Sequence, residues 1–132
     1  MNLIICLDTK NGYSFASRRQ SRDRIQLKKM LDLVGDKRLF LNEYSSKLFE
    51  ETPSNVTVCD NPLKAAKEGD FCFVENLDVD NVKAEKIIIY RWNRHYPSDK
   101  IFTQNLLCDK VLVSAEEFVG NSHEKITQEV YE

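Results

Sequence analysis

The chain has 132 residues, 42% of them hydrophobic and 30% charged, with a formal net charge of −2 at pH 7. That length closes a hydrophobic core without metals or disulfides, and the near-neutral charge excludes a global electrostatic pull toward nucleic acid or an anionic membrane. Cys6, Cys59, Cys72 and Cys108 stand singly, with no Cys-x-x-Cys pair and only His95 and His123 to assist them, so the composition predicts no metal site. Three of the four lie in apolar runs and read as buried core thiols of a protein in a reducing compartment.

Leu3 to Leu7 is a continuous apolar run bounded by Asp8 and Asn11-Gly12, the pattern of a strand buried on both faces. It lacks a basic lead and is too short for a secretory signal, and no later run reaches bilayer-spanning length, which predicts a cytoplasmic protein without a membrane partner. After a short Tyr13–Phe15 segment, Leu27, Met30, Leu31 and Val34 fall at i, i+3, i+4 and i+7 and predict a helix ended by Gly35. Ser17 or Ser21 is the candidate cap of its first turn. Arg38–Leu41 reads as a strand, Ser45–Glu50 as a short helix ahead of Pro53, Val56–Cys59 as a strand, and Pro62 as the start of a helix reaching Gly69. Phe71–Val74 and Ile87–Trp92 are further strands, separated by a helical or looped piece over 77–84. Val111–Phe118 and Glu124–Tyr131 alternate about Gly120-Asn121-Ser122 as a closing antiparallel hairpin. No repeat or linker divides the chain, so the order predicts one α/β domain over 1–132 with a mostly parallel central sheet, flanking helices and an antiparallel C-terminal hairpin.

Arg18, Arg19, Arg22 and Arg24 crowd the approach to the first helix and either clamp a phosphate or carboxylate or form a solvated face. Asp23 among them reads either as a proton-handling carboxylate or as a cap and ion-pair partner of those arginines. Glu75 and Asn76 follow the carboxyl end of a buried strand, where ligand-contacting loops lie in open α/β sheets; the alternative is a polar turn. Tyr90 to Pro97 sets aromatics between cations, as a base-stacking or anion-binding surface does, or as a strand end does when its aromatics cover the core. His123 lies in the final hairpin between Ser122 and Glu124 and, with no visible partner, reads as a turn residue rather than as the alternative, a general base.

The order of elements resembles the three-layer dihydrofolate reductase fold over the whole chain. Leu3–Asp8 with Asn11-Gly12 is similar to that family's first strand and mobile loop, and the resemblance puts Asp23 where its active-site carboxylate is expected. Ile87–Arg91, the spacer through Ser98-Asp99, and Ile101-Phe102 resemble the strand after its cofactor turn, and Ile126–Tyr131 resembles its closing strand. The enzymatic signatures differ. Ala16-Ser17-Arg18-Arg19-Gln20-Ser21 stands for the family's Leu-Pro-Trp, Glu75-Asn76 for its cofactor-facing Gly-Gly, and Asn42-Glu43-Tyr44-Ser45 for its Gly-Arg-x-Thr. A carboxylate facing a pyrophosphate is repulsive, and both residues of the turn carry a Cβ that glycine lacks.

Two functional readings follow. In one, a remodelled cleft bounded by Asp23, Arg18, Arg19, Arg22, Glu75, Asn76, Tyr90 and Arg91 binds a small anionic or nucleotide-like ligand. Asp23 or Glu75 then handles any proton, and the protein is not a working dihydrofolate reductase. In the other, the Arg18–Arg24 and Arg91–Tyr96 surfaces form a non-catalytic RNA- or protein-binding module. The residues specify no cofactor.

Overall fold

In the computed structural model, which describes residues 1–132, the central strand β1 (Asn2–Leu7) has a parallel partner on each side. Between β1 and the next long strands the chain forms β2 (Gly12–Phe15), β3 (Arg18–Arg19), α1 (Arg24–Val34), β4 (Leu39–Leu41), α2 (Glu43–Ser46), β5 (Val56–Val58) and α3 (Pro62–Ala65). It continues through β6 (Phe71–Val74), β7 (Lys86–Arg91), β8 (Lys100–Ile101), a 3-10 turn (Gln104–Leu107), β9 (Leu112–Phe118) and β10 (Ile126–Tyr131). The main sheet runs β5-β4-β6-β1-β7-β10-β9; β5 through β7 are parallel, and the β9–β10 hairpin joins antiparallel to β7.

Period-two alternation divides the core into two faces. Leu3, Ile5, Leu7, Val74, Ile87 and Ile89 face the side that packs Ala65 and Ala66 of the α3 turn, while Ile4, Phe73, Ile88, Tyr90 and Trp92 face α1. Three layers result. The chain leaves β1 toward β4 on one side and later returns to β7 on the other, so the carboxyl ends of β1, β6 and β7 meet at a change of direction where such sheets place ligands.

The predicted helix is α1, and Gly35 ends it at φ 62°, a left-handed conformation that costs glycine little; its N–H reaches the Leu31 carbonyl at 3.0 Å. The deepest face of α1 is Gln26, Met30 and Val34, with Leu27 and Leu31 beside them, so a polar residue occupies a core-facing position. The cap is Asp23, not Ser17 or Ser21: its side chain accepts from the Ile25 and Gln26 amides. The second helix, α2, starts earlier than Ser45 because Asn42 caps it, accepting from the Ser45 amide at 3.0 Å. The third, α3, is a single turn, since Ala66 is already extended at ψ 133°, well short of Gly69. Residues 77–84 form no regular helix.

Arg18 and Arg19 are not part of a helix approach but the return strand of a tight hairpin with β2, to which β8 adds a third strand. Ala16 and Ser17 turn the corner at φ 50° and 62°, the doubly left-handed geometry of a two-residue hairpin, and Asp99 accepts from the Ala16 amide at 2.9 Å. Of the four free thiols only Cys72 is fully buried; Cys6, next to last in β1, and Cys59, just past β5, are half-buried, and Cys108, just past the 3-10 turn, is exposed.

Met30 anchors α1 with no exposed surface. Met30→Ala is expected to lower the unfolding free energy by about 2–5 kcal/mol, whereas Lys28→Ala on the exposed side of the same helix stays within about 0.5 kcal/mol. Urea titration of the two variants measures the difference.

Candidate functional site

A small recess, enclosing about 30 Å³, opens between the start of α1 and the sheet. The sheet contributes Cys6 from β1, Phe73 and the following Glu75 from β6, and Trp92 just beyond β7. Ser21–Arg24 and the first turn of α1, with Gln26 and Leu27, form the opposite wall, and Leu48 closes one side. A still smaller hollow of about 10 Å³ shares Cys6, Ser21, Glu75 and Trp92 and extends toward Tyr13 and Arg19. A wider groove of about 490 Å³ borders α3 and residues 78–83, but its charged and amide side chains are exposed and solvated.

Asp23 is 5% exposed and carries the densest bonding in the site. Besides the α1 amides it accepts from the amides of Asn121 and Ser122, at 3.1 and 2.9 Å, and from the Ser122 hydroxyl at 3.1 Å. His123 Nδ1 lies 3.1 Å from its Oδ2. Burial alone would raise the Asp23 pKa, but the Ser122 amide, His123, and the Asn121 and Gln26 amides outweigh it and hold the carboxyl well below the ordinary aspartate range. Gly120 makes this approach possible, since a side chain there would collide with the Asp23 carboxylate.

His123 is itself buried at 4% exposure. Its ring stacks on Trp92 at 4.5 Å between centroids and 18° between planes. The other nitrogen, Nε2, lies 2.9 Å from the Tyr96 hydroxyl and 3.2 Å from the Ser21 hydroxyl. An ionised Asp23 only accepts, so Nδ1 carries a proton; in the neutral ring Nε2 then holds one lone pair, for which the Tyr96 and Ser21 hydroxyls compete.

A second network closes the neighbouring corner. Arg19 Nε and Nη2 donate to the two Glu75 oxygens at 2.7 and 3.0 Å, and the Ser45 hydroxyl donates to Glu75 Oε1 at 2.8 Å. The Arg19 guanidinium also lies 4.2 Å from the centre of the Tyr44 ring. Burial works against the Arg19 charge, but Glu75 more than offsets it and raises the pKa above the ordinary arginine value. Asn42 donates to Asn76 Oδ1 at 2.9 Å, and Asn76 donates to the Ser17 carbonyl at 3.0 Å, tying α2, β6 and the hairpin turn together. Cys6 lies between the networks; burial, then the nearby Glu75 charge, pushes its thiol pKa well up and keeps it protonated.

The recess thus gathers Asp23, Glu75 and Arg22 from the predicted set. Arg19 borders the smaller hollow, and Asn76 ties its rim. Arg18 is exposed on β3. Tyr90 is wholly buried in the sheet's core with its hydroxyl donating to Gln128 at 2.9 Å, and Arg91 is on the other face, donating to Glu129 and Asn11 at 2.8 Å each, so neither reaches the recess. The Arg91–Tyr96 stretch does not offer a stacking platform, because Trp92 is turned inward onto His123 and Tyr96 bonds the same imidazole. The arginines do not pair with Asp23; His123 does. Sequence reasoning passed over Gln26 and read Ser21 only as a cap and His123 as a turn residue. A histidine next to a hydroxyl in a glycine turn, and a glutamine on the apolar stripe of a helix, were their only signals.

Sheet order, the antiparallel closing hairpin and a recess at the carboxyl ends of β1, β6 and β7 define a dihydrofolate reductase-like α/β fold. A solved example is the dihydrofolate reductase from Enterococcus faecalis in complex with NADP(H) and RAB-propyl, similar at a TM-score of 0.67 over 98% of this chain and 94% of that one. Identity is 12%, so the sequence is divergent and the likeness is one of fold. No family model matches the chain, and no curated protein matches it in sequence. No helix is long and apolar enough to cross a membrane.

Because Asp23 is more acidic folded than unfolded, its contribution is complete above the unfolded aspartate range and is lost as the pH falls through and below it. Asp23→Asn is expected to lower stability at neutral pH by about 1–3 kcal/mol. It should also flatten the decline of stability between about pH 5 and pH 2, measured by urea unfolding as a function of pH.

Proposed function

We propose that residues 1–132 form one dihydrofolate reductase-like domain whose recess binds a small anionic organic ligand, and that the protein is not a working dihydrofolate reductase. The observation that carries this reading is Gln26: the residue is 3% exposed, lines the recess, and its Nε2 has no hydrogen-bond partner. An orphaned buried donor costs about 1–3 kcal/mol, a penalty that an acceptor oxygen of a ligand removes. Arg22 and Arg24 line the exposed rim, and the arginines engaged in ion pairs are others, Arg19, Arg38 and Arg91. The enclosed part of the recess is about 30 Å³, room for one small polar group, so the rest of the ligand lies along the open rim of Arg22 and Arg24.

The residues present do not suit a nicotinamide dinucleotide of the kind bound by the Enterococcus faecalis enzyme. A buried carboxylate and an amide side chain, Glu75 and Asn76, stand in the turn where a pyrophosphate needs close backbone approach, and Asn42, Asn76 and Ser17 are bonded across it. We assign Glu75 to holding Arg19 and Asp23 to fixing His123. The free thiols fit a reducing, cytoplasmic setting.

A thermal-shift series with inorganic phosphate, mononucleotides, small mono- and dicarboxylates, folic acid and NADPH tests this, since a ligand of the native state raises its melting temperature. A small anion is expected to raise it in the wild type and to do nothing in Gln26→Leu, which fills the recess and removes the donor. Arg22→Ala should weaken that ligand by about tenfold. A shift with NADPH or folate, or a small-anion shift unchanged in both variants, overturns the reading.

A further inference from the structure

Ser21 Oγ, the His123 imidazole and the Asp23 carboxylate are linked in that order by contacts of 3.2 and 3.1 Å. Ser21 borders both the recess and the smaller hollow beside it. Hydroxyl, imidazole and carboxylate in this sequence of contacts activate a nucleophile on unrelated folds, recognised by geometry and not by chain order. We propose that Ser21 is an acyl-accepting nucleophile and that the protein hydrolyses small carboxylic esters, an inference that rests on the recess being a ligand site.

Each part of the chemistry has a residue. Asp23 holds the proton on Nδ1, which leaves Nε2 as the base facing Ser21. Trp92 stacks against the imidazole and fixes its plane, so the base does not rotate away. Gln26 Nε2, buried and without a partner on the wall of the same recess, supplies a donor for the oxygen that becomes negative. Leu27, Leu48 and Phe73 give the recess an apolar lining suited to a short acyl chain.

In the first half-reaction Ser21 Oγ forms a bond to the ester carbonyl carbon while its proton passes to His123 Nε2 and the carbonyl electron pair moves to oxygen. The tetrahedral adduct collapses, the carbon–alkoxy bond breaks, and the alkoxide takes the proton from Nε2 and departs as the alcohol. Between these events the protonated Nε2 can donate to the Tyr96 oxygen, 2.9 Å away. Water then attacks the Ser21 ester, gives its proton to the same nitrogen, and the carboxylic acid leaves as Oγ recovers a proton. His123 and Ser21 are catalytic; Asp23 is a positioning residue.

The test is covalent labelling of the folded protein with a fluorophosphonate, in which Ser21 Oγ displaces fluoride at phosphorus, followed by intact mass and peptide mapping. The expected result is one adduct, on Ser21, absent from Ser21→Ala at an unchanged melting temperature. His123→Gln should slow labelling by about 100-fold or more. Should that variant unfold, the base is read from wild-type labelling, whose rate must rise with pH through a single ionisation. No adduct on Ser21, a rate in folded His123→Gln equal to wild type, or a pH-independent rate overturns the proposal. A small-anion thermal shift without an adduct removes the nucleophile and keeps the ligand recess; an adduct without any such shift leaves the nucleophile and removes the anion reading.

Discussion

Asp23 receives hydrogen bonds from the amides of Ile25, Gln26, Asn121 and Ser122, from the Ser122 hydroxyl and from His123, and this saturation fixes two things at once. It sets the residue at which α1 begins, and it pins the closing turn of the β9–β10 hairpin against that beginning. A carboxylate taken out of water is costly unless such donors replace its hydration. The local sequence follows from that demand: a glycine at 120 to admit the carboxylate, and Asn121-Ser122-His123 to present donors to it.

The same arrangement makes the recess a product of the complete chain. One wall comes from residues 21–27, the sheet wall from β1, β6 and the end of β7, and the imidazole from a residue 100 positions after Asp23. The neighbouring corner is assembled in the same way, Arg19 from a hairpin near the amino terminus meeting Glu75 from mid-chain with Ser45 between them. Contacts of such sequence separation carry a loop-closure entropy cost that local contacts do not. Local helix propensity contributes little to their specificity.

Local pattern was enough to read the scaffold. The apolar runs at Leu3–Leu7, Phe71–Val74 and Ile87–Tyr90 are strands buried on both faces, and the alternation in Val111–Phe118 and Ile126–Tyr131 marks the closing hairpin. Periodicity and Gly35 located α1. Short elements were less legible: α2 begins where Asn42 caps it, and β3 depends on two non-glycine residues in left-handed conformations at Ala16 and Ser17, which no simple turn signal announces. The site was legible in part. Asp23 and Glu75 were visible through their places beside a helix start and a strand end, but which partner each takes is a long-range fact. Arginines adjacent to Asp23 suggested ion pairs; the partner in space is a histidine from the last turn.

Trp92, on the wall of the recess, is the chain's one tryptophan, and it stacks against the imidazole of His123. An excited indole loses its emission readily to an adjacent imidazolium. The molecule therefore carries its own optical reporter: a change in the charge, tilt or hydrogen bonding of His123 alters the emission of the single tryptophan, read by exciting at the red edge where the five tyrosines do not absorb. Events in the recess are observable as light before their chemistry is known.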